Sequence, residues 1–110
     1  MIDIRKRETG KILHSVSAET LCRARLVDID LRDADLAGAD LTDAALDDAN
    51  LSYADLSGAI LNGADMSGIA FCAANLSNAD LRDSFMDSTD LNFANLTGAD
   101  LRGSSLAIHI

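Results

Sequence analysis

The sequence predicts an all-β solenoid: a chain that turns a corner every five residues around a narrow apolar interior, preceded by two short strands. Three observations predict this. A large apolar residue recurs at every fifth position from Leu21 to Leu106, a small residue stands two places before most of them, and Gly or Asn stands two places after seven of them. Repeats of fixed period outrank local propensity as evidence of fold.

The first eighteen residues lie outside the series. Ile2-Asp3-Ile4-Arg5 alternates as a strand, Glu8-Thr9-Gly10-Lys11 reads as a turn, and Ile12-Leu13-His14-Ser15-Val16 reads as a second strand. A bare solenoid end exposes apolar interior and unpaired backbone groups, so residues 1–18 are expected to cap the first coil and residues 19–110 to form the solenoid.

The large position is occupied by Leu except at Met66, Phe71 and Met86. The small position is mostly Ala, with Ser84, Thr89 and Ser104 also small; Glu19, Ile29 and Ile69 depart from the rule. On an α-helix a step of five turns the side chain by about 140°, which scatters the leucines around the cylinder. On a flat strand the same step flips the face each time. The chain must therefore change direction once per repeat, so that the large and small side chains all point to one axis. The residue just before the large one is Asp or Asn in 11 of 18 repeats. Gly38, Gly58, Gly63, Gly68, Gly98, Gly103 and Asn78 fall two residues after a large one, where a type II turn needs positive φ.

Ala34-Asp35-Leu36-Ala37-Gly38, Ala49-Asn50-Leu51-Ser52-Tyr53 and Ala99-Asp100-Leu101-Arg102-Gly103 match the Ala-(Asp/Asn)-Leu-x-x pattern residue for residue. On these the chain resembles the pentapeptide-repeat family over residues 19–108. The resemblance implies a right-handed quadrilateral parallel β-helix with four repeats per coil, hence about 4.5 coils and about 22 Å of height at the usual strand spacing. Residues 20 apart then become vertical neighbours. One side is expected to carry Leu21, Leu41, Leu61, Leu81 and Leu101, and the next Leu26, Leu46, Met66, Met86 and Leu106. The third carries Leu31, Leu51, Phe71 and Leu91, and the fourth Leu36, Leu56, Leu76 and Leu96.

With 18 acidic residues against 9 basic, the chain has a net charge of −9, which argues against nucleic acid as a direct partner. The charge is uneven: residues 1–32 hold seven bases and five acids, whereas residues 33–110 hold 13 acids against Arg82 and Arg102. The apolar runs are too short to span a membrane, and Met1–Arg7 does not begin a signal peptide. The expected setting is cytoplasmic, with no membrane contact.

Chemistry is sparsely provided. His14 and His109 are expected at opposite ends of the rod, with no nucleophile pairing for either, so no catalytic residue and no cofactor is assigned. Cys22 and Cys72 follow large residues on different sides and are expected to be free thiols. Asp28, Asp47 and Asp48 come close, and Asp43 shares a corner with Asp83, but outward positions must be polar in any case and no metal site is assigned. The sequons at Asn50, Asn75 and Asn95 are by-products of the repeat. Outward apolar residues carry more information, because the pattern does not require them. Tyr53 and Phe93 fall in one corner column with Ala73 between, and Phe85 and Ile60 replace the usual Asp or Asn. Tyr53, Phe93, Phe85, Asp43 and Asp83 are the candidate partner-binding residues.

The resemblance implies a non-enzymatic protein-interaction module. Some members of the family, bacterial quinolone-resistance proteins among them, mimic duplex DNA and bind type II topoisomerases, which makes DNA gyrase or topoisomerase IV the implied partner. The net −11 of residues 33–110, spread over roughly 19 Å, is one charge per ~1.7 Å, the linear density of B-DNA. The alternative is a scaffold protein that self-associates or stacks on another β-helix. The apolar terminus Ala107-Ile108-His109-Ile110 does not look like a solvating tail, so a homodimer joined at the C-terminal end through Leu106, Ile108 and Ile110 is expected, the alternative being that residues 107–110 fold back as a small plug on a monomer.

Overall fold

The computed structural model describes residues 1–105. Isolated parallel bridges join Arg25 to Ala45, Asp30 to Asn50, Asp35 to Asp55 and Asp40 to Ile60, and continue with the same offset of 20 up to Phe85 and Ser105. Four pentapeptides therefore complete one coil, and the body is a four-sided parallel β-helix. Each side is only the stretch from the small residue to the large one. In a typical rung, the N–H of Ala45 donates to the carbonyl of Ala24 below it (2.9 Å), and the N–H of Leu46 to that of Asp65 above (2.8 Å).

Corners are four-residue turns. The Ala44 N–H donates to the Leu41 carbonyl at 3.0 Å, and the bond recurs from the Ala54 N–H to Leu51 O and from the Ala59 N–H to Leu56 O. The residue two after the large one is left-handed throughout, from Arg23 (φ 60°) to Gly103 (φ 74°). The expectation assigned this conformation to six glycines and Asn78; Arg23, Tyr53, Ala73, Ser88, Phe93 and the corner aspartates Asp28, Asp33, Asp43, Asp48 and Asp83 adopt it as well. Stacking of the coils fixes the corner, and the side chain there must accept it.

Asp and Asn before the large residue have a definite task. Each of the eleven turns its Oδ1 to accept the backbone N–H two residues on, as Asp65 does from Ser67 (3.1 Å) and Asn75 from Ser77 (3.0 Å). This Asx bond satisfies an amide that faces away from the ladder.

The interior is apolar and full. Leu26, Leu31, Leu41, Leu46, Leu51, Leu56, Leu61, Met66, Phe71, Leu76, Leu81 and Met86 are completely buried, with Ala34, Ala44, Ala54, Ala64 and Ala74 between them. Ile69, a departure from the small-residue rule, is also fully buried on the side that carries Phe71, whereas Ile29 is half-buried and Glu19 exposed. Ser84 and Thr89 are buried and return their hydroxyls to their own turns, on Leu81 O (2.7 Å) and Met86 O (2.8 Å).

The head is a hairpin of β1 (Ile2–Lys6) and β2 (Ile12–Val16), with Ile4 opposite His14. β1 also pairs antiparallel with β3 (Ala34–Asp35) on the edge of the first coil, and the Arg7 N–H donates to Asp33 O at 2.9 Å. Ile4 is buried against the interior, which closes part of the solenoid mouth. At the other end Leu91, Leu96 and Leu101 are only half-buried. Leu106, Ile108 and Ile110, the expected dimer contact, lie outside the described residues.

Candidate interaction surface

The offset of 20 sorts every outward residue into a column. Asp33, Tyr53, Ala73 and Phe93 form the corner column between the third and fourth sides, with φ of 63°, 65°, 57° and 62°. A left-handed backbone suits Gly, Asn or Asp; a bulky ring there is strained. Tyr53 is 53% exposed and Phe93 91%, so neither ring is held by burial. Two coils separate them, about 10 Å at the strand spacing. Half-buried Ala70, Cys72 and Ala73 floor the gap between the rings.

Below Tyr53 this column opens into a cleft of about 330 Å³ where the hairpin meets the first coil, lined by Lys6, Leu13, Asp30, Arg32, Asp33 and Tyr53. Arg32 grips both oxygens of Asp30 (2.9 and 2.8 Å), and those guanidinium bonds hold the Asp30 carboxyl below its ordinary range. No periodic signal could have placed Lys6 and Leu13 around the same cleft as Tyr53, because the docking of the hairpin decides that.

The remaining candidates lie elsewhere. Phe85 is 54% exposed at the middle of the second side, in the column of Arg25, Ala45, Asp65 and Ser105. Asp43 and Asp83 occupy the corner between the first and second sides, diagonally across from Tyr53 and Phe93, with Gly63 between them. Of the five, the structure thus brings together Tyr53 with Phe93 and, separately, Asp43 with Asp83 in one column. Cys22 and Cys72 are free and half-buried. Among the described residues no group of three or more His, Cys, Asp or Glu side chains is placed to hold a metal ion.

One corner is laced with charge. Arg82 chelates Asp80 (2.8 Å twice) and reaches Asp100 at 4.0 Å; Arg102 chelates Asp100 in turn. Asn62, with its amide turned to donate, bonds Asp80 from the coil below (2.6 and 2.9 Å). The Arg102 guanidinium and backbone N–H hold the Asp100 carboxyl down at about 2.

The family model of pentapeptide repeats (8 copies) matches this sequence over residues 29–68 and again over 71–106. The chain belongs to the pentapeptide-repeat family. Its four-sided coil is the family's right-handed quadrilateral β-helix. A pentapeptide-repeat protein from Nostoc PCC 7120, alr5209, is 40% identical over 72% of this chain, with a TM-score of 0.70. A pentapeptide-repeat protein of the Arabidopsis thaliana thylakoid lumen is 24% identical over 77% of it, with a TM-score of 0.74. This pentapeptide-repeat chain spans 65% and 59% of the lengths of those two proteins. No curated protein matches its sequence.

Proposed function

We propose that the protein is a non-enzymatic interaction module that holds a protein partner on the Tyr53–Phe93 corner column. The observation that carries this reading is Phe93, a large ring 91% exposed on a left-handed backbone with φ of 62°. Strain kept where no packing gain offsets it points to a role outside the fold. Two rings about 10 Å apart over a floor of small residues would clamp one apolar side chain or planar group. Exposed aromatic residues are also the common anchors of protein interfaces.

The test replaces both rings with residues suited to the corner. In a Tyr53→Asn/Phe93→Asn variant, partner capture from a native extract should be lost while the melting temperature holds or rises by a few degrees. Unchanged capture would refute the column as the site. A narrower reading, a type II topoisomerase as partner, is supported by the charge density of residues 33–110. It requires that the protein change gyrase supercoiling in a salt-dependent way.

A further inference from the structure

A second surface, independent of the aromatic column, lies at the mouth of the first coil. The pairing of β1 with the coil edge is limited to Arg5 with Asp35 and Lys6 with Ala34, and the β1 ladder is itself irregular between Ile4 and Arg5. The coil itself turns at Leu36–Ala39, where the Ala39 N–H donates to Leu36 O (3.0 Å) and Gly38 is left-handed (φ 68°). Beyond the paired residues β1 and the turning coil edge part, and a wedge of about 370 Å³ opens among residues 2–4, 19–21 and 35–40. Ile2, Ile4, Leu21 and Leu36 give it an apolar floor, and Asp3, Glu19, Asp35 and Asp40 stand around it.

Two properties select what fits. The walls retain hydrogen-bonding capacity: among the described residues the Asp40 N–H and the Ala37 carbonyl have no backbone partner. The rim is one-signed, because no Lys or Arg lines the wedge. Asp3 is engaged by Arg5 (3.4 Å) and Ser15 (2.8 Å), but Glu19, Asp35 and Asp40 have no basic partner among the described residues. The Thr42 hydroxyl and N–H on Asp40 favour its charged form. We infer that the wedge docks an extended segment of another protein in which apolar residues alternate with Lys or Arg. The segment lies in the wedge beside β1 and bonds the open Asp40 N–H and Ala37 carbonyl, its apolar side chains on the floor and its cations at the rim.

The test uses end-blocked hexapeptides of alternating Lys and Leu, and of alternating Glu and Leu, titrated into the ¹⁵N-labelled full chain. The Lys/Leu peptide should bind saturably and shift the amides of Ile2–Ile4 and Ala37–Asp40, while the Glu/Leu peptide should not. A Glu19→Gln/Asp35→Asn/Asp40→Asn variant keeps the Oδ1 atoms that accept the Ala37 and Thr42 amides, so its fold should persist. Its affinity for the Lys/Leu peptide should fall about tenfold. Four results would overturn the inference. These are no binding at millimolar peptide, equal binding of both peptides, and shifts centred on Asp43, Asp48 and Asp83 that survive in the triple variant. The fourth is a concentration-dependent shift of the same amides without peptide, which would make a second copy the occupant.

Discussion

Gly58 and Gly68 hold the same place in the repeat, with φ of 67° and 68°, yet their surroundings differ. A methyl group on Gly58 would meet nothing within 4 Å, whereas one on Gly68 would collide with Oδ1 of Asp48 from the coil below. Gly63 lies against Asp43, Gly98 against Asn78 and Gly103 against Asp83 in the same way. At these four corners an acidic or amide side chain leans over the next coil, and a Cβ there would have to push it aside. Gly58→Ala should therefore cost about 1 kcal/mol, the usual penalty for a left-handed alanine. Gly68→Ala should cost only slightly more by chemical denaturation, because the exposed Asp48 carboxylate can swing aside, and adding Asp48→Ala should bring it back to the Gly58→Ala value. The same backbone explains why the asparagine replacements at Tyr53 and Phe93 should not destabilise: Asn tolerates the left-handed region that a ring resists.

One side of the coil is the smallest working element, an inward small residue, an outward Asp or Asn and an inward large residue. Ala54 and Ala74, each 1% exposed, face the interior on the fourth side. Ala54→Leu should overfill it and cost about 1–3 kcal/mol, read as a lower denaturant midpoint at constant m-value. An unchanged midpoint would show that the position is not inward. Most of this level was legible before any coordinates, because a period of five dictates which side chains share an interior. The Asx bonds were not, since periodicity says where Asp65 points but not which amide it accepts. Nor was the pairing of Arg5 with Asp35, because the head has no repeat relation to the coil it docks on. At the candidate surface, the Tyr53–Phe93 column followed from counting by 20. The strain beneath those rings did not, because nothing in the pattern said that a corner without Gly or Asn would keep a positive φ.

For the molecule as a whole, acid should act through its arginine-bound carboxylates. Asp30, Asp80 and Asp100 all titrate below the ordinary 3.8, chiefly because Arg32, Arg82 and Arg102 bond their charged forms. Between about pH 4 and pH 2 the folded chain binds fewer protons there than the unfolded chain does. Their contribution is fully present above pH 4 and is lost as the pH falls toward 2. The melting temperature should drop across that window, and Asp80→Asn/Asp100→Asn should flatten the drop while keeping the Oδ1 atoms that accept the Arg82 and Arg102 amides. The coil length of 20 residues has a consequence of another kind. It makes sequence position an angular coordinate. Removing a whole coil shortens the rod and leaves every later residue facing its former direction, whereas removing one pentapeptide rotates everything after it by a quarter turn. Deleting residues 61–65 should leave a folded protein in which the ring of Phe93 has swung to the neighbouring edge, out of line with Tyr53. Such a variant should keep its far-ultraviolet spectrum and lose whatever needs both rings. Lineages of this protein would then change length freely only in steps of a full revolution.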